Sequence, residues 1–201
     1  MAASLASSEY FADRDFNAIH LERGRINSTE FFDCGFIRCN FTESVFHNCR
    51  FSNCVFLDCN LGVIKVPGSI FSLTKFENSK VIGVNWTEAD WTTALANPIG
   101  FYKSTINHCT FIGLELKGIQ IKDCIATEVD FREADLSQAD FTGTDLAQSL
   151  FVNTDLTEAD LSRARNYNID PGENILKQTK FSLPEAMSLL DNLDIILVDG
   201  T

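Results

Sequence analysis

The sequence predicts an all-β solenoid, one chain coiled in steps of five residues, and three observations predict it. A bulky apolar residue recurs at every fifth position from Phe11 to Leu161, a small residue recurs two positions before it, and the other three residues of each step are mainly polar. The first register has 31 positions, of which only Ala96 and Ala126 are not large, and it takes 15 of the 17 Phe residues, all but Phe32 and Phe181. The second register has 30 positions from 14 to 159 and is Gly, Ala, Ser, Thr, Cys or Val except at Arg14, Ile19, Ile64, Ile99, Leu114 and Ile119. Neither the helical period of 3.6 nor the strand period of 2 describes the chain, and a short fixed repeat is the mark of a stacked architecture.

Each step reads as one side of a square coil, with the bulky centre and the small residue turned inward. Four steps close one coil of 20 residues, and coils stack at about the strand spacing of 4.8 Å. Residues 20 apart then lie over one another. On one face this stacks Phe11, Phe31, Phe51, Phe71, Trp91, Phe111, Phe131 and Phe151. At about 1.5 to 3 kcal/mol per buried centre, such ladders dominate stability against the entropy of ordering the chain.

The pattern falters over Thr92–Gly100, where the centre is only Ala96, Ile99 is large for a small slot and Asn97-Pro98 signals a turn. The reading is a loop that bulges from the wall, with Thr92, Thr93, Asn97 and Pro98 at its surface. Five extra residues shift every face after Phe101 by one, so the ladder above holds only as far as Trp91. Beyond Leu161 the repeat stops. Asp170-Pro171-Gly172 makes a turn, and Ser182-Leu183-Pro184-Glu185 reads as a capping box before a helix bearing Leu183, Ala186, Met187, Leu190 and Leu193 on one face. A short strand follows from Ile195 to Val198. We therefore expect a solenoid over residues 1–166 and a cap over 167–201. An apolar stripe left over after capping, with Leu183, Met187, Leu190, Leu193 and Ile195, would join two chains.

The seven cysteines all occupy the small inward register and read as compact core residues rather than ligands. His20, His47 and His108 fall outside both inward registers, with no neighbours that suggest a metal site or a triad. No Gly-rich phosphate loop appears, so neither catalysis nor a cofactor is expected. No signal peptide and no apolar run of membrane-spanning length is visible, which points to the cytoplasm.

Charge is the informative feature. The net charge is -12, and residues 121–201 hold 16 acids against 6 bases, whereas residues 1–120 hold 12 against 10. Asp130, Asp135, Asp140, Asp145, Asp155 and Asp160 each precede a bulky centre, and Glu133 and Glu158 stand nearby. Such a balance excludes ordinary binding to phosphate backbones, which needs Lys and Arg. Two readings fit these acids: a solvating surface, or an imitation of duplex DNA offered to a basic groove.

Steps such as Ala134-Asp135-Leu136-Ser137-Gln138 and Ala139-Asp140-Phe141-Thr142-Gly143 carry the A(D/N)LXX signature of the pentapeptide-repeat family, over about three quarters of the chain. The whole arrangement resembles the topoisomerase-protecting branch: the Qnr quinolone-resistance proteins, MfpA, McbG and AlbG. Gly83-Val84-Asn85-Trp86-Thr87, Trp91 and the tail from Phe181 to Ile195 are most similar to AlbG, the albicidin-resistance member. The resemblance implies a right-handed quadrilateral β-helix, a homodimer joined at its C-terminal ends, and binding to DNA gyrase, and often topoisomerase IV, as a DNA mimic that relieves poisoning. Qnr members project two loops, and this sequence offers one. The alternative is a non-catalytic scaffold for another partner.

Overall fold

The structure, a computed structural model, describes residues 10–92, 99–191, 193 and 195. The chain winds as a parallel β-solenoid of about eight turns. Every described strand pairs in parallel with a neighbour 20 residues away, as in Phe11↔Phe31, Phe16↔Phe36 and Ile26↔Phe46, except across the insertion. There the offset becomes 25, with Phe76 opposite Phe101 and Asn85 opposite Thr110. The five-residue excess expected from the sequence is therefore present, although residues 93–98, including Thr93, Ala96, Asn97 and Pro98, lie outside the described residues. Ile99 differs from expectation. It is fully buried in the inward column, and the wall resumes with the strand Gly100–Tyr102.

Four walls result. The first has centres Phe11, Phe31, Phe51, Phe71 and Trp91, continuing after the insertion as Leu116, Leu136 and Leu156. The second runs from Phe16 through Phe36, Phe56, Phe76, Phe101 and Ile121 and includes the longest sheet, of six strands. The third holds Leu21, Phe41, Leu61, Val81, Ile106, Ala126 and Leu146. The fourth holds Ile26, Phe46, Val66, Trp86, Phe111, Phe131 and Phe151. Phe111, Phe131 and Phe151 accordingly stack below Trp86, with centroids 6.1, 5.4 and 5.2 Å apart in succession, and not below Trp91.

Backbone hydrogen bonds in both directions tie the coils together. The Asn40 N–H donates to the Ile19 carbonyl on one side, while the Phe41 and Glu43 N–H groups donate to the Asn60 and Gly62 carbonyls on the other. The residue two after each centre turns the corner with positive φ, as at Asn48 (52°), Asp58 (55°) and Val63 (56°). This is the left-handed region, which Asn, Asp and Gly enter most cheaply and a β-branched residue least.

The small inward residues do more than fill space. Ser79 Oγ donates to the Phe56 carbonyl at 3.0 Å and accepts the Cys59 N–H at 2.9 Å, so one hydroxyl satisfies an acceptor and a donor of the preceding coil. The thiols act in the same way, Cys59 Sγ reaching the Phe36 carbonyl at 3.1 Å and Cys39 Sγ the Phe16 carbonyl at 3.3 Å. All seven cysteines are free and buried, and burial pushes Cys54, Cys109 and Cys124 up to about 12. Those three are thiols held away from reaction.

Past Leu161, where the sequence pattern breaks, the wall continues. Asp160–Leu161 pairs with Lys180–Phe181, and Thr179 Oγ1 donates to the Leu156 carbonyl at 2.8 Å, as an inward Thr does elsewhere. The chain then forms a 3-10 helix, Glu185–Leu190, in place of the expected α-helix. The capping box is not made. Ser182 Oγ instead accepts the Arg163 N–H at 3.2 Å, and the Glu185 carboxylate accepts the Asn166 N–H. Both side chains satisfy the open edge of the last coil, which is the more costly vacancy in a solenoid. Of the expected strand, Ile195 is described without strand structure and residues 196–198 lie outside the described residues.

Candidate functional site

The six aspartates sit where a backbone turn needs an acceptor. In each, Oδ1 accepts the N–H two residues on: Arg132 for Asp130, Ser137 for Asp135, Thr142 for Asp140, Ala147 for Asp145, Thr157 for Asp155 and Ser162 for Asp160, at 2.8 to 3.2 Å. The residue type is thus explained locally, because Asp and Asn close such turns with their own side chains. The coil also spreads them over all four walls, Asp135 and Asp155 on the first, Asp140 and Asp160 on the second, Asp145 on the third and Asp130 on the fourth.

Four of the six have a cationic partner: Arg132 on Asp130 at 2.7 Å, Lys122 on Asp140 at 2.6 Å, Arg165 on Asp145 at 3.2 Å and Lys180 on Asp160 at 3.3 Å. The side-chain hydrogen bond from Arg132 holds the Asp130 carboxyl below the usual carboxylate range. At Asp140 burial pushes upward, but Lys122 and Thr142 together outweigh it and the carboxyl is lowered. Asp160 is lowered first by Ser162.

Asp135 and Asp155 remain without an ion pair among the described residues, and they are direct neighbours in one column with Glu115. The corners beside this column carry Glu133, Glu158 and Glu173. Glu158 accepts a hydrogen bond from Gln138 at 2.9 Å and stays exposed. Among the described residues, the first wall below the insertion therefore bears the densest free negative charge, relieved by Lys117 and Lys177 at its two ends. Sequence reasoning misses Glu115 and Glu173. The signal for Glu115 is its spacing, since it stands 20 residues before Asp135 and itself precedes the centre Leu116.

At the insertion, Thr92 donates from N and Oγ1 to Asp90 Oδ1 at 2.9 and 2.6 Å, and the half-buried Trp91 indole donates to the Trp86 carbonyl at 2.8 Å. The chain that leads into the insertion is thus pinned on the first wall. At the C-terminal end Leu183 is 78% exposed, Met187 and Leu193 45% each, and Ile195 52%, while Leu190 is half-buried. Among the described residues no cluster of His, Cys, Asp or Glu fits a metal ion, and no helix is long and apolar enough to cross a membrane. His20 and His108 are exposed, and His108 Nδ1 lies 3.4 Å from the Glu128 carboxylate.

Comparison with curated proteins finds no match. Among solved structures, a trypsin-treated form of QnrB1, a plasmid-mediated fluoroquinolone resistance protein, is similar at 17% identity and a TM-score of 0.53, over 94% of this chain and 97% of that one. A second trypsin-treated form gives 19% identity and a TM-score of 0.44 over 95% and 92%. HetL of Nostoc sp. strain PCC 7120, a pentapeptide-repeat protein involved in heterocyst differentiation regulation, gives 14% and 0.34 over 89% and 92%. At 17% identity the likeness to the first of these is one of fold. The profile of the pentapeptide repeat region matches residues 29–99 and 93–161, and the chain belongs to the pentapeptide-repeat family.

Proposed function

We propose that this protein binds a type II topoisomerase, DNA gyrase in the first place with topoisomerase IV as the other candidate, as a DNA mimic and protects it from poisons, conferring antibiotic resistance or self-immunity without catalysis of its own. The observation that carries the reading is charge density. Residues 121–181 hold twelve acids against six bases over three coils. At about 4.8 Å per coil this is one net negative charge per about 2.4 Å, against about 1.7 Å for duplex DNA. Asp135 and Asp155, with Glu115 one coil before them in the same column, are the acids left free of ion pairs to meet a basic groove.

In this reading two chains join through Leu183, Met187, Leu190, Leu193 and Ile195, which brings both acidic halves together at the middle of the dimer, and the protein acts in the cytoplasm. The insertion between Thr92 and Ile99 supplies specificity, and the AlbG-like strings make albicidin a poison to set beside the quinolones. The protein itself does not bind nucleic acid. The second reading, a scaffold for another partner, draws on the four aspartates neutralised by neighbours. The test is binding of purified gyrase to the immobilised protein in the presence of linear duplex DNA. Competition is expected, and binding undisturbed by saturating DNA would remove the mimicry.

A further inference from the structure

We infer that the second wall, in the N-terminal half, is a docking groove for an extended partner segment with a basic residue at one end, an aliphatic residue in the middle and an acidic residue four positions on from the first. This inference does not depend on the topoisomerase reading, because it concerns a different half of the molecule with a different surface.

Outward positions of a solenoid wall meet water and are expected to be polar. In the N-terminal half the positions before successive centres of the third wall follow that rule, with His20, Asn40, Asn60 and Lys80, although Ile125 farther along the same column is 47% exposed. On the second wall the outward side chains include Ile37, Val55 and Leu57, each only half-buried, and Leu73 at the adjoining corner is 45% exposed. An apolar strip of this kind on a polar solenoid marks a contact surface. Two cavities open along it. One, of about 350 Å³, lies over Gly35, Ile37, Val55 and Leu57, and the other, of about 470 Å³, is lined by Leu73, Lys75, Gly100, Gly118 and Gln120; they meet at Asn53.

The ends of the strip carry opposite charges. Asp15 and Asp33 flank the first cavity, and Lys75 stands three coils beyond Asp15. Asp15 and Lys75 are exposed, and neither is in an ion pair with a described residue. Three coils span about 14 Å, which an extended chain covers in about four residues. A basic side chain at Asp15 and Asp33 then sets an acidic one at Lys75, with an aliphatic side chain between them over Val55 and Leu57. The far end is closed by Tyr102, whose ring lies against the place a side chain at Gly100 would occupy.

The probe is the blocked peptide acetyl-Arg-Thr-Val-Thr-Glu-amide, titrated into the full chain with carbon-13-labelled methyl groups. Shifts confined to the methyls of Ile37, Val55, Leu57 and Leu73 are expected. Replacing the Arg of the peptide by Glu weakens binding about tenfold, since an attraction becomes a repulsion. Asp15→Lys, a change at an exposed site, restores binding of that Glu-first peptide. No shift at these methyls, shifts only in the acidic half, or equal binding of both peptides to the unaltered protein would overturn the inference.

Discussion

Phe56→Ala tests whether stacked aromatic ladders hold the solenoid together. Phe56 is fully buried, with its ring centroid 4.5 Å from Phe36 and 5.0 Å from Phe76, both stacked, with Phe41 edge-on and Phe51 tilted against it. Truncation removes contacts to the coils on both sides and leaves a cavity, at a cost of about 3 to 5 kcal/mol. Phe16 stacks only on Phe36, at 5.1 Å, and is 9% exposed in the first coil. Phe16→Ala loses one stacked neighbour where Phe56→Ala loses two, a difference of about 0.5 to 1.5 kcal/mol from that pair alone. Urea unfolding followed by circular dichroism and by the fluorescence of Trp86 and Trp91 measures both. Equal costs, or a Phe56→Ala cost below about 1 kcal/mol, would refute the nearest-neighbour account of stability.

Asp135→Asn with Asp155→Asn keeps the Oδ1 acceptor of each turn and removes the charge, so thermal stability changes by less than about 0.5 kcal/mol while gyrase binding falls; the Ala pair costs about 1 kcal/mol per site in stability. Val63→Asn relieves a β-branched residue at φ 56° and raises stability by about 1 kcal/mol in a denaturant titration. Asp130, Asp140, Asp145 and Asp160 have lowered folded-state values, so their contribution is present above the unfolded value of about 3.9 and is lost as pH falls below it toward those lowered values. The melting temperature should therefore hold near neutral pH and drop below about pH 4. A thiol reagent should find the seven cysteines only after unfolding.

The bulky register makes the fold legible, because a side chain as large as Phe at every fifth position has nowhere to go but inward. The insertion is legible for a related reason: Ala96 fills a core slot poorly, and five extra residues must shift the faces beyond them. Ile99 reads wrongly from the sequence, since the inward column accepts a large residue there, as it also does in regular coils at Ile64 and Ile119. The tail is half legible. Ser182 and Glu185 have the spacing of a helix cap, and only the fold reveals a nearer claim on them, the unpaired N–H groups of Arg163 and Asn166. The acids are legible as a composition but not as a surface. Their turn hydrogen bonds and their distribution over four walls depend on the 20-residue coil, and Lys122, Arg165 and Lys180 meet them only through stacking.

Protection of gyrase by a DNA-like surface is measured by supercoiling with purified DNA gyrase, titrated with this protein, with and without a quinolone and with and without albicidin. Supercoiling should be restored under at least one poison by the unaltered protein, and not by the Asp135→Asn, Asp155→Asn variant. No protection under either poison, or equal protection by the variant, would contradict protection by such a surface.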